Sequence, residues 1–200
     1  MSDHEEVTVR KTLGFAVTLL VVSVVAPSAA QAAGRSGPGF EFGGYIFRAN
    51  FDNESNIEND EGLGARFGWM LTPEHEIEFS IDRVSTEDEF GLGLDVDLTT
   101  FKAGYLYNFI PGGVVSPFFT VGGGAQKISI SEPALFGGNV TTEETDPMGF
   151  AAFGVRFYIG DVFHFRVDGG AQAILPDGDL DNTLVDGVFS GGVGWTIGGR

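Results

Sequence analysis

Apolar and polar residues alternate one by one through most of the chain after residue 39. The pattern is clearest in Glu76–Asp82 and in Phe163–Asp168, where every second residue is Ile, Phe or Val and the others are charged or polar. A period of two places these residues on opposite faces of a β-strand. No later segment has a helical period of useful length. The alternation therefore predicts an all-β fold built from strands with one apolar and one polar face.

The connections between the alternating segments are short and long in turn. Eight segments are predicted, near residues 40–51, 62–71, 75–84, 96–109, 115–130, 148–159, 162–174 and 185–198. Tight turns are predicted near 71–74, 110–113 and 160–161, and long polar loops at 52–61, 85–95, 131–147 and 175–184. Short connections at one end and long ones at the other are typical of an eight-stranded antiparallel up-and-down barrel, including the transmembrane kind.

The N-terminal segment has the pattern of a secretory signal peptide. Arg10 and Lys11 precede an apolar run, Leu13–Ala26, and Ala30–Ala32 matches a cleavage site. The run has 14 residues, whereas a membrane-spanning helix needs about 20. We therefore expect residues 1–32 to be a signal peptide and residues 33–200 to form the barrel.

Composition excludes several functions. The net charge is -17, and so acidic a surface would repel the phosphates of a nucleic acid. Cysteine is absent, which rules out disulfides, a cysteine nucleophile and cysteine-ligated metals. We expect no cofactor.

Two groups of residues indicate that the apolar face points outward, into lipid. The polar face carries charges of both signs, which would form an ionic network in the narrow lumen: Arg48, Arg66, Glu76, Glu78, Asp82, Lys102, Arg156, Arg166 and Asp168. The apolar face carries aromatic residues near the short turns, where an interfacial girdle would lie: Trp69, Tyr107, Phe109, Phe157, Phe163 and Trp195. The alternative is a soluble lipocalin-like barrel that binds a ligand inside its apolar face.

The last strand resembles a known sorting signal. Ser190, Gly192, Trp195 and Ile197 fit the C-terminal assembly signal of bacterial outer-membrane barrels, and Ser116–Ala125 is similar to a Pro-aromatic-Gly-rich strand of the same group. The chain thus resembles the small eight-stranded outer-membrane barrels, which include the OmpA transmembrane domain and OmpX. The resemblance implies insertion by the barrel-assembly machinery, and contact with outer-membrane lipid and lipopolysaccharide. It does not determine an activity, because this fold has many functions.

We expect a non-enzymatic barrel with a structural or surface-interaction role, a plugged lumen and a possible extracellular partner. One alternative is a narrow gated channel, in which Lys102, expected opposite Glu78, would change partners. Another is a lipid A-modifying enzyme, which needs a base near the long loops. The available histidines, His75 and His164, both fall near the short turns.

Two smaller site hypotheses remain. His164, Asp168 and Ser190 could form a Ser-His-Asp set, but packing in the lumen is the favoured interpretation, because a plugged lumen offers a substrate no route. The acidic loops could be a solvated surface or could bridge to lipopolysaccharide phosphates through divalent cations. Within them Asp177, Asp179 and Asp181 are a weak Ca²⁺ candidate, because the EF-hand glycine and glutamate positions are Asn182 and Val188.

The predicted pattern has two irregularities. Leu92, Leu94, Val96 and Leu98 share the lumen parity of the fourth strand, while Asp95 and Asp97 would face outward. A β-bulge, or a strand tip above the bilayer, would remove this conflict. Gly43 and Gly44 are expected to shift the first strand in a similar way.

Overall fold

The strands follow one another in the sheet in the same order as in the chain. The computed structural model describes residues 37–51, 59–87, 95–133, 139–176 and 183–198, all within the unit Gln31–Arg200. The strands are β1 (Gly39–Asn50), β2 (Asp60–Met70), β3 (His75–Glu87), β4 (Asp95–Asn108), β5 (Val115–Pro133), β6 (Asn139–Ile159), β7 (Phe163–Ile174) and β8 (Leu184–Gly198). Every neighbouring pair is antiparallel, and β1 pairs with β8 to close the barrel. The prediction of an eight-stranded up-and-down barrel is confirmed.

Tight turns join the strands at one end. In the turn between β2 and β3 the Leu71 amide donates to the His75 carbonyl at 2.8 Å. Gly112 and Gly160 occupy the other two short turns with φ of 78° and 68°, a region that glycine reaches without steric cost. Within the described residues no helix is long and apolar enough to cross a membrane.

The largest difference from the predicted boundaries is in β6. We expected a loop through residue 147, but the strand begins at Asn139 and pairs with β5 from Pro133↔Asn139 onward. The added segment consists mostly of threonine and acidic residues, so neither of its faces is apolar and the sequence pattern contains no sign of a strand.

Neither expected irregularity produces a bulge. The β3–β4 register is one-to-one from His75↔Tyr107 to Glu87↔Asp95, and β1 keeps its alternation of buried and exposed residues through Gly43 and Gly44. The predicted shift of the first strand is therefore wrong.

Glycines make room for large side chains inside the barrel. A Cβ on Gly62 would meet the Phe47 ring, and one on Gly64 would meet the Tyr45 ring. The same relation holds between Gly154 and the ring of Phe118. An eight-stranded lumen is only wide enough for side chains to fill it, so a large residue on one strand needs a glycine on the next.

Candidate functional site

The interior of the barrel near the short turns holds a cluster of buried charges. Eight of the nine predicted lumen residues lie in it. The lumen charge cluster, as we call it, consists of Arg66, Glu76, Glu78, Asp82, Lys102, Arg156, Arg166 and Asp168, joined by Glu41 and His164.

Arg156 is the centre of the cluster and is fully buried. Its guanidinium lies 2.8 Å from the Glu76 carboxylate, 3.2 Å from that of Glu41 and 3.8 Å from that of Glu78. It also donates to the Asn108 side chain at 3.2 Å. One arginine thus contacts carboxylates from two strands, β1 and β3, on the far side of the lumen.

A second group of contacts surrounds Arg166 and Asp168. Arg166 makes a two-pronged ion pair with Glu78, and its Nε donates to Asp168 at 2.8 Å. Arg66 lies 3.1 Å from Asp168 on the other side, and the Ser190 hydroxyl donates to Asp168 at 2.7 Å. Asp168 therefore links β2, β7 and β8.

Lys102 does not pair with Glu78. The register places Lys102 beside Ser80, and its Nζ lies 2.5 Å from Asp82. Tyr45 donates to the same carboxylate, and the Arg66 guanidinium lies 3.9 Å from the centre of the Tyr45 ring. The predicted Lys102–Glu78 pair was wrong, because the register differs from the predicted one by two residues.

Arg48 lies outside the cluster, so its predicted place in the lumen is also wrong. Since β1 keeps its parity through Gly43 and Gly44, Arg48 points outward with 58% of its side chain exposed, 3.9 Å from Glu61.

Nearer the long connections the interior holds an apolar cluster beside buried polar residues such as Gln126, Gln172 and Asp186. This inner apolar layer consists of Tyr45, Phe47, Ala49, Val84, Val96 and Leu98, with Phe51, Ile128, Ile130 and Val188 packed against it. Val96 and Leu98 thus face the lumen, as the alternation predicts, while Leu92 and Leu94 lie outside the described residues. The wall has exposed charged pairs at this level, such as Arg83 with Asp97 at 3.4 Å. Here an apolar cluster lies inside the barrel and charged pairs lie outside, which is consistent with a strand tip above the bilayer.

A polar cavity of about 60 Å³ lies among the charges of the cluster. Its lining includes Lys102, Arg166, Tyr45 and Thr120, and the buried Thr120 hydroxyl makes no hydrogen bond within the protein. This volume is enough for a few water molecules.

Three carboxylates could in principle hold a metal ion. Glu41, Glu76 and Glu78 each offer an oxygen within 4.8 Å of the others. The Arg156 guanidinium already lies against all three, so a cation could bind only by displacing it.

The contacts do not form a Ser-His-Asp set. Ser190 and Asp168 are hydrogen-bonded, but His164 lies 3.3 Å from Glu41 and Asp168 is held by arginines. Glu41 was missed in the sequence because its alternation with Phe40 and Phe42 resembles any other strand pattern, and Tyr45 was missed as an aromatic that faces inward.

The aromatic residues predicted as a girdle lie on the outer face at the short-turn end. Trp69, Phe109, Phe157 and Trp195 are exposed and Tyr107 and Phe163 half-buried, and the rings of Phe163 and Trp195 are 5.7 Å apart. Of the residues predicted as an assembly signal, Trp195 and Ile197 face outward, whereas Ser190 and Gly192 belong to the inner face.

Several predictions fall outside the described residues. These are the signal peptide at 1–32, the Ca²⁺ candidates Asp177, Asp179 and Asp181, and the tips of the acidic loops.

Comparison with known proteins identifies the family. The family model described as outer membrane protein beta-barrel domain matches residues 17–196. No curated protein matches the chain significantly. The structure is similar to that of Neisserial surface protein A, with a TM-score of 0.57 and 16% identity over 80% of this chain and 97% of that one. It is also similar to the outer membrane protein AlkL in lipid bilayers, with a TM-score of 0.53 and 13% identity over 87% of this chain and 97% of that one. The chain therefore belongs to the outer membrane protein β-barrel domain family and resides in the bacterial outer membrane.

Proposed function

We propose that this protein is a structural and surface-interaction barrel that passes no solute and catalyses no reaction. The observation that carries the proposal is the filled interior, in which the lumen charge cluster and the inner apolar layer lie one above the other.

The lumen charge cluster resists opening because its charges are buried and paired across the lumen. Arg156 contacts Glu76 at 2.8 Å, and neither side chain is exposed to solvent. Separating such a pair leaves each charge buried without a partner, which costs roughly 3–5 kcal/mol. Several linked pairs would have to separate together before a solute could pass.

The inner apolar layer forms a second obstacle nearer the long connections. Phe47 and Leu98 are almost fully buried there, and the space they enclose with their neighbours is only about 10 Å³. A polar solute would have to leave water to cross this layer, which is unfavourable.

Planar-bilayer recording tests the closed lumen. We expect the purified protein to give no discrete conductance steps at neutral pH. Tyr45→Ala is the variant of the inner face, and Arg48→Gln is the control variant of the outer face. Reproducible wild-type steps that change size in Lys102→Ala but not in Arg48→Gln would overturn the proposal.

A gated channel is the second candidate, and the polar cavity favours it. Lys102 and Arg166 both line the cavity. A path would need the ring of Tyr45 to leave Asp82 and Arg66, in addition to opening of the linked ion pairs and of the inner apolar layer. This candidate predicts the steps described above in the wild-type protein.

A lipid-modifying activity is the third possibility, and the proposal predicts its absence. His164 is buried against Glu41 inside the barrel, and His75 lies in the ring pair with Tyr105 at the short-turn end. Overproduction should leave the mass spectrum of lipid A unchanged. A new lipid A species that is absent from cells carrying an empty vector would contradict this.

The proposed surface role depends on the acidic outer end. Exposed carboxylates lie on β2, β4 and β6 there, among them Glu61, Asp97 and Glu143. A partner for this surface would carry positive charge or bound divalent cations.

A further inference from the structure

Four buried side chains with oxygen acceptors lie inside the barrel, one on each of the strands β5 to β8. We call them the lumen oxygen cluster: Gln126, Asp146, Gln172 and Asp186, none of which is more than 6% exposed. They lie on the long-connection side of the lumen charge cluster, since Lys102 is paired with Gly124, two residues before Gln126 on β5.

The strand register arranges the four side chains as two neighbouring pairs. Gln126 is paired directly with Asp146 across β5 and β6, and Gln172 with Asp186 across β7 and β8. The Gln172 Nε2 donates to the Asp186 carboxylate at 3.2 Å. Residues paired in this way have Cβ atoms about 4.5–5.5 Å apart, so the side chains of one pair can share a ligand.

A small cavity joins the two pairs. Gln126 and Gln172 both line the space of about 10 Å³ near the long connections, together with Thr100 and Asp82. The rest of its wall belongs mostly to the inner apolar layer. Such a space has room for about one water molecule or one ion, so the two glutamines meet on either side of a single particle.

One atom of the lumen oxygen cluster indicates that a ligand belongs there. The Oε1 atom of Gln126 is buried and accepts no hydrogen bond within the described part of the chain. Buried polar atoms of this kind are rare in proteins, and an ion or an ordered water molecule is a common explanation for them.

The chemistry of the cluster favours a cation over water. Carboxylate and amide oxygens are the ligands that Ca²⁺ and Mg²⁺ take in proteins, and buried carboxylates are usually paired with cations or bound to metal ions. Asp146 and Asp186 together carry two negative charges, which one divalent cation balances. Ca²⁺ accepts irregular sets of oxygen ligands, whereas Mg²⁺ demands a near-ideal octahedron, so two pairs on separate strands suit Ca²⁺ better.

We propose that the lumen oxygen cluster binds a single Ca²⁺ ion inside the barrel. The carboxylates of Asp146 and Asp186 and the Oε1 of Gln126 are its protein ligands. The ion connects the β5–β6 pair with the β7–β8 pair and adds to the plug between the lumen charge cluster and the outside. This inference concerns an ion within the lumen and holds whether or not the outer end has a partner.

Calorimetric titration of the folded, chelator-treated protein in detergent tests the site, with Ca²⁺ alone as the probe. We expect one saturable site per chain in the wild type. Asp146→Asn/Asp186→Asn should bind Ca²⁺ at least tenfold more weakly, because loss of an outer-shell partner alone costs about 10- to 100-fold in metal affinity. A wild type without saturable binding, or a double variant with unchanged affinity, would overturn the proposal.

The matched control removes the same number of carboxylates from the outer wall. Asp97→Asn/Glu143→Gln changes two exposed residues and should bind Ca²⁺ as the wild type does. Equal losses in the two double variants would show that Ca²⁺ is attracted by the overall negative charge and has no specific site in the lumen.

Two further measurements do not depend on the folding of the double variant. Gln126→Leu keeps both carboxylates and should still weaken the binding of Ca²⁺. Wild-type affinity in this variant would mean that the Gln126 oxygen is not a ligand and that water satisfies it. In urea, Ca²⁺ at a hundred times its Kd should lower the unfolding constant of the wild type about a hundredfold. An unfolding constant that does not respond to Ca²⁺ would contradict binding to the folded barrel.

Discussion

Replacing Arg156 by methionine is expected to lower the free energy of unfolding of the barrel by roughly 3–5 kcal/mol, the usual cost of removing one partner from a buried ion pair. Glu41 and Glu76 are almost entirely buried against this guanidinium, so they would be left in the interior without their main partner. Trp69 and Trp195 on the outer wall report folding by fluorescence, and urea titration in zwitterionic vesicles measures the change.

The matched control is Arg48→Met, which removes an exposed arginine from the outer wall. It should change the free energy of unfolding by about 0–1 kcal/mol. Glu41→Gln and Glu76→Gln added to Arg156→Met should recover part of the loss. Equal losses in the two arginine variants would mean that the buried network does not stabilise the fold.

The second large effect is expected for Gly192→Ala on β8. A Cβ at this position would lie 2.5 Å from the Cβ and 2.8 Å from the Cα of Tyr45, and would also overlap the Gly44 carbonyl. These atoms belong to the backbone or are attached directly to it, so they cannot move aside as the end of a flexible side chain can. We expect a loss of roughly 1–3 kcal/mol or more, as in overpacked cores.

Gly191→Ala is the control on the neighbouring residue. A Cβ there has Val167 Cγ1 at 3.9 Å as its only close neighbour, and alanine is somewhat better than glycine within a strand. Refolding into lipid vesicles without assembly factors measures the effect of packing alone, because no factor is then present to recognise the predicted assembly signal. If both variants refold like the wild type, the close packing at Gly192 is not important for the fold.

The fold could be predicted from the sequence because lipid and lumen impose opposite polarity on alternate residues. That signal is strong wherever a strand crosses the apolar region, as in Phe163–Asp168. It disappears where both faces are polar, which is why the first part of β6 was predicted as a loop. Above the apolar region the polarity is reversed, so that the charged Arg48 faces outward and the apolar Phe47 faces the lumen. There the same rule assigns each residue to the wrong face.

The pairing of the lumen charges could not be predicted with the same accuracy. Pairs such as Arg156 with Glu76 join strands that are not neighbours and meet across the lumen. Their partners depend on the register of every intervening strand. An error of two residues placed Lys102 opposite Glu78 instead of Ser80, from which it reaches Asp82. Alternation indicates which residues face inward, but it carries no information about which of them meet.

The unequal strand lengths determine which of the described strand ends reaches farthest from the short turns. β5 has 19 residues, whereas β1 has 12. At about 3.3 Å a residue and a tilt near 40°, this difference in length corresponds to a rise of roughly 18 Å. An antibody, phage or protease approaching through the sugar layer would therefore meet the β5–β6 hairpin before it reached the ends of β1 and β2.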